Sequence, residues 1–195
     1  MYSLLRWLVF FVCLLPFIAM VAGVFCNSLG PDPADELARG TGLWALRFIL
    51  LSLSITPIKN LTGWVRLFPF RRTFGLFSLF YGSLHFITYL AFLLQFRWFE
   101  ISSDILERPY ITVGFAAYII LVLLGVTSNK ASMRALGRRW KQVHSLIYIA
   151  SILALMHLVW ILRSDLTEAI FYGMILAPLL LSRIYFAKTR WRLGR

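Results

Sequence analysis

Chemistry in this chain centres on its three histidines, and two of them, His85 and His157, fall inside apolar stretches, YGSLHFITYL and SILALMHLVWI. An imidazole in hydrocarbon is costly unless something coordinates or hydrogen-bonds it, so an ionisable side chain in such a segment marks a candidate functional site. Neutral imidazole is a good metal ligand. Two imidazoles approaching one iron from opposite sides would form the axial pair of a b-type haem. The competing reading is a core histidine that donates to a carbonyl or hydroxyl of another helix. No CxxCH segment occurs, so a haem here would be held by ligation and packing alone.

Whether the two rings can meet depends on the elements that carry them. The chain has 195 residues, 60% of them hydrophobic, with a mean hydropathy of +0.78, and several runs approach the ~20 apolar residues that cross a bilayer as a helix. The sequence predicts an all-α integral membrane bundle of six transmembrane helices, at about 7–26, 42–58, 73–95, 110–127, 142–162 and 168–187. The first run has a basic start like a signal peptide. Its apolar core is longer than ~15 residues and no A-x-A site follows, so it reads as a retained span. The short connections and the lack of an evident internal repeat or linker predict one domain over 1–195.

The connections give the orientation. One side carries Arg6, Lys59, Arg66, Arg71, Arg72, Lys130, Arg134, Arg138, Arg139, Lys141, Arg183, Lys188, Arg190, Arg192 and Arg195, fifteen of the twenty basic residues and no acid. All eight acids lie on the other. Excess Lys and Arg mark the cytoplasmic face, which puts both termini inside. A net charge of +12 thus reads as membrane topology and contact with the lipid bilayer, not as a nucleic-acid surface. Cys13 and Cys26, in or beside the first run, suggest neither a disulfide framework nor a thiolate metal site.

In this topology the third and fifth spans both run outward. His85 lies 13 residues beyond Arg72 and His157 lies 16 beyond Lys141, so both sit ~20–24 Å from the inner surface. The matched depth makes them the candidate outer haem ligands. His144 lies near the inner boundary, 13 residues before His157 and ~140° round the helix from it. It is either an interfacial structural histidine or one ligand of an inner site that no fourth histidine completes. Arg47, about a turn in from the outer end of the second span, either snorkels or pairs with a haem propionate. Small residues, Gly75, Gly82, Ser83, Gly125, Ser151 and Ala154, leave room for close helix approach or for a flat macrocycle.

The segments RRTFGLFSLFYGSLH and LGRRWKQVHSLIYIASILALMH together resemble the ferric-reductase-like transmembrane family of ferric reductases and NADPH oxidases. The stretches TGLWALRFILLSLSITPIK, RPYITVG and LGVTSN are similar to one branch of it, the haem-binding membrane subunits of bacterial protein-methionine-sulfoxide reductase systems. The resemblance implies that His85 and His157 are the outer ligands and His144 an inner ligand or redox-site residue. The family's inner ligand on the third helix lies fourteen residues before the outer one, where this chain has Arg71, so its inner pair is incomplete. The resemblance also implies haem b, one or two, together with FMN. It implies electron transfer from a cytoplasmic flavin reductase or quinol to a periplasmic molybdopterin-containing subunit that reduces protein methionine sulfoxide. Arg71, Arg72, Arg138 and Arg139 are chemically suited to the FMN phosphate. A G-x-G-x-x-G loop is absent, which leaves no nicotinamide-binding module in the sequence. The resemblance also admits a stand-alone transmembrane ferric or other metal reductase-like electron carrier, and the residues themselves leave open a haem-free transporter or an anchoring subunit.

Overall fold

A computed structural model of the chain describes residues 2–163 and 165–193, with side chains described as far as Phe186. Arg195 lies outside the described residues, as do the side chains of Lys188, Arg190 and Arg192. The described residues form helices α1 (Tyr2–Phe25), α2 (Pro33–Thr62), α3 (Phe70–Thr88), α4 (Trp98–Glu107), α5 (Pro109–Val126), α6 (Lys130–Leu136), α7 (Arg139–Ser145), α8 (Ile147–Ile161) and α9 (Thr167–Leu193), and no strand. A π-helical turn, Tyr89–Leu93, extends α3. Six segments are long and apolar enough to cross a membrane: Leu4–Phe25, Pro33–Thr62, Val65–Leu93, Pro109–Val126, Arg139–Ile161 and Thr167–Phe186. The expected all-α six-helix membrane bundle is therefore the observed fold.

The central helix is α2, whose apolar window is 67% buried where the other spans reach at most 28%. Its start is specified locally. The Asp32 side chain caps it by accepting from the Asp35 amide at 3.1 Å, Pro33 occupies its first turn, and Asp35 and Glu36 complement the helix dipole. At its far end Gly63 adopts φ 74° and closes the helix through its amide to the Lys59 carbonyl. The sequence reading began this span near residue 42; the polar first turns, through Arg39, are helical because the cap and the helix dipole support them. Arg47 accordingly sits fourteen residues past Pro33, ~21 Å along the axis, and not near the outer end.

Two clusters hold the bundle. Leu46, Ile49 and Leu53 of α2 pack with Leu121, Leu124, Ala150 and Leu176, while Phe48 and Ala45 pack with Phe77, Tyr81 and Cys13. Tyr81 is fully buried, and its hydroxyl donates to the Cys13 carbonyl at 2.9 Å while accepting from the Phe17 amide at 3.0 Å. Those two groups would bond each other in an unbroken helix. Pro16 lies between them inside α1, and a proline in a helix weakens the bonds around it, so the phenol supplies both groups with a partner. Gly125 lets α5 approach α3, since a Cβ there would clash with Leu79 Cδ2.

Candidate functional site

His85 on α3 and His157 on α8 face each other with ring centroids 6.0 Å apart and planes inclined at 80°. One iron shared by two imidazoles needs metal–nitrogen bonds of ~2.0 Å and a ring radius of ~1.1 Å on each side, hence ~6 Å between centroids. The spacing fits. His85 Nδ1 lies 2.8 Å from the Ala38 carbonyl, and His157 Nδ1 lies 2.6 Å from the Tyr110 carbonyl. A carbonyl can only accept, so each Nδ1 carries the proton and each Nε2 keeps its lone pair. Such an outward hydrogen bond is what orients a metal-binding histidine and fixes its tautomer.

Two glycines make these contacts possible. A Cβ on Gly42 would meet His85 Nδ1 at 3.0 Å, and one on Gly114 would meet His157 Nδ1 at 2.7 Å. Each glycine stands one turn after the carbonyl its histidine uses. Ala38, Gly42 and His85 recur 72 positions later as Tyr110, Gly114 and His157, so the α2–α3 and α5–α8 pairs present their rings by the same device. The sequence reading found no internal repeat and missed these four supporting residues. The shared glycine-to-histidine interval was the available signal.

At the same 72-residue shift the counterpart of His144 is Arg72, and both line one cavity. His144 stacks on Trp140, with centroids 4.0 Å apart and planes at 26°, and its Nε2 lies 3.1 Å from Thr127 Oγ1. Trp140 Nε1 in turn donates to the Thr127 carbonyl at 3.0 Å. A break between α7 and α8, at Ser145–Leu146, separates His144 from the helix that carries His157.

His144 lines a cavity of about 1390 Å³ that opens among the helix ends near Lys59, Arg71, Ser128 and Lys141. Arg6, Lys59, Arg71, Arg72, Lys130, Lys141 and Arg183 line it, and among the described lining residues there is no Asp or Glu. Arg138 and Arg139 are not among its lining residues. Its apolar roof includes Leu121, seven residues or ~10 Å along α5 from Gly114, so the cavity extends toward the histidine pair. Arg183 spans part of it, donating to Thr56 Oγ1 at 2.7 Å and lying 5.6 Å from the Tyr148 ring centroid. Arg47 is not among the lining residues either: its Nε donates to the Tyr172 hydroxyl at 2.7 Å and its guanidinium lies 4.7 Å from the Trp44 ring centroid.

Residues 41–155 match the family described as ferric reductase like transmembrane component. The chain is 46% identical over 159 residues to a protein-methionine-sulfoxide reductase heme-binding subunit MsrQ of Xanthomonas euvesicatoria, covering 82% of this chain and 73% of that one. It is 37% identical over 188 residues to the MsrQ of Herminiimonas arsenicoxydans, covering 95% and 86%. The chain belongs to the MsrQ family of ferric-reductase-like transmembrane proteins. As an MsrQ-family chain it is a multi-pass membrane protein, and its family match takes in Gly42, His85, Gly114 and His144.

The MsrQ-family bundle thus presents two candidate sites. One is the His85–His157 pair, in a cradle with no room for a further methyl. Among the described residues no group of three or more His, Cys, Asp or Glu could hold a metal ion. Two imidazoles fill two coordination positions only, and a macrocycle would supply the other four.

Proposed function

We propose that this protein is the membrane cytochrome of a protein-methionine-sulfoxide reductase system, binding a b-type haem between His85 and His157. The observation that carries this reading is the 6.0 Å ring spacing with both Nδ1 groups turned to main-chain carbonyls. The relatives' printed names, heme-binding subunit of a protein-methionine-sulfoxide reductase, support it. A haem bound there supplies a one-electron iron couple. The protein's own contribution is to keep both imidazoles neutral and oriented and to exclude water around them.

Electrons would arrive from a cytoplasmic-side donor, a flavin reductase or quinol, and leave toward a periplasmic molybdopterin-containing reductase subunit. The inner cavity suits FMN as the intervening carrier. It is larger than the ~300–1,000 Å³ of an ordinary small-molecule site, its roof is apolar, and its cations match a phosphate. Arg71 and Arg72 would hold that phosphate, and His144 with Trp140 would form the wall beside the ring system. Charge asymmetry supports cytoplasmic termini in a bacterial inner membrane, with residues 1–195 forming one transmembrane domain.

The test is a reduced-minus-oxidised optical spectrum of the purified full chain, with haem and FMN each quantified per polypeptide. A b-type, six-coordinate low-spin signal at one haem per chain supports the proposal. Absence of haem after expression with adequate haem supply would leave a transporter or an anchoring subunit. A haem that reoxidises at the same rate with and without the sulfoxide reductase subunit would leave a stand-alone electron carrier.

A further inference from the structure

Between the two histidine helices, on the outer side, residues 89–108 form a feature that ligation alone does not explain. One turn after His85, the chain enters the π-helical turn Tyr89–Leu93, closed by the Leu94 amide on the Tyr89 carbonyl at 3.0 Å. Gln95 and Phe96 then adopt φ of 51° and 57°, a left-handed conformation that non-glycine residues take only when the surroundings impose it. The chain reverses there and returns as α4, which brings Asp104 back against Tyr89. π-turns and strained backbone of this kind concentrate at functional sites.

The Asp104 carboxylate has two partners on different elements. Oδ2 accepts from the Tyr89 hydroxyl at 2.5 Å and Oδ1 pairs with Arg108 Nε at 2.8 Å. The Asp104 side chain is only 11% exposed, while Arg108 is 56% exposed. An exposed i,i+4 ion pair is worth little, but a nearly buried carboxylate with a second donor from another helix is a structural joint. Arg108 is the residue that opens α5, accepting from the amides of Ile111 and Thr112 at 2.9 and 3.2 Å. Thr112 also ties back to the Ile105 carbonyl through its hydroxyl. Two residues after Arg108 comes Tyr110, whose carbonyl takes the His157 Nδ1 proton.

We infer that Asp104 is a positioning residue for the imidazole pair. One carboxylate joins the end of the His85 helix, through Tyr89, to the start of the helix whose Tyr110 carbonyl orients His157. This rests on the cytochrome reading for its redox consequence and on the geometry alone for its structural one. It also gives a role to the RPYITVG stretch: Arg108 is the joint, Tyr110 supplies the carbonyl and Gly114 leaves space for the ring. Removing the carboxylate charge leaves the Arg108 guanidinium uncompensated, which favours the reduced, less positive iron.

The test uses purified full-length protein carrying Asp104→Asn, Asp104→Ala, Asp104→Glu or Tyr89→Phe. Asp104→Asn is nearly isosteric and keeps haem, but raises its midpoint potential and shifts the low-spin electron paramagnetic resonance signal. Asp104→Glu moves both back toward wild type. Asp104→Ala and Tyr89→Phe speed hydrogen exchange of the amides at 111–114 at least tenfold, a readout independent of haem. Wild-type potential, resonance signal and exchange in Asp104→Asn and Tyr89→Phe together would overturn the inference. If the wild-type protein proves haem-free, the exchange arm alone decides it: faster exchange upholds the joint while the cytochrome reading fails separately, and unchanged exchange overturns both.

Discussion

His85 and His157 lean on carbonyls that each lie 47 residues earlier in the chain, which leaves each Nε2 free of that hydrogen bond, with the two ring centroids 6.0 Å apart. The symmetry means that neither ring is a spare. Replacing either one should abolish the low-spin haem, because a single axial imidazole leaves iron five-coordinate. His85→Ala and His157→Ala are each expected to lose the six-coordinate optical spectrum, with haem content falling well below half of wild type. Full six-coordinate haem in either variant would mean that the pairing is wrong.

The glycine cradle makes a sharper prediction, because the two glycines differ in clearance. A methyl on Gly114 would stand 2.7 Å from its imidazole and one on Gly42 3.0 Å. Overpacking of a tight interior costs ~1–3 kcal/mol, and here the strain falls on the nitrogen that fixes the tautomer. Gly114→Ala should therefore lose more haem than Gly42→Ala, and both should lower the melting temperature. Equal and wild-type occupancy in both variants would show that the rings have freedom the structure does not give them.

The pattern of charges and apolar runs made the six spans legible, because membrane crossing imposes length and composition on each helix. The pairing of His85 with His157 was legible as a depth match, since rise per residue is fixed in a helix. What the sequence did not reveal depends on tertiary contact. The carbonyls of Ala38 and Tyr110 carry no side-chain signal at all, and the glycines matter only because a particular ring packs on them. Arg47 was misplaced in depth for a different reason: α2 starts at Pro33, and its polar first turns look like a loop to a hydropathy reading. Helix α4 was hidden in the same way, since ten residues with two exposed aromatics and three acids resemble a connection.

Arg47 is tied to Tyr172 and Trp44, so its removal has a structural cost whatever else it does. Arg47→Leu leaves the 5% exposed Tyr172 hydroxyl without its donor, at a cost of ~1–3 kcal/mol. Adding Tyr172→Phe should restore part of that stability, measured by thermal melting in detergent. A haem potential that moves in Arg47→Leu and stays moved in the double variant would mark an electrostatic role toward a propionate. A potential that never moves would leave Arg47 a helix-packing residue.

His144 separates the two levels of the molecule. Its Nε2 is engaged by Thr127 and its face by Trp140, and at the 72-residue shift its counterpart is Arg72 and not a histidine. His144→Ala should leave the outer haem spectrum unchanged while altering the inner cavity it lines. If the cavity holds FMN as proposed, FMN retention or the rate of haem reduction by the proposed donor should then fall several-fold, and Arg71→Gln with Arg72→Gln should do the same by removing two of the cavity's cations. Complete haem loss in His144→Ala would show that His144 itself ligates the haem and that the pairing of His85 with His157 is wrong.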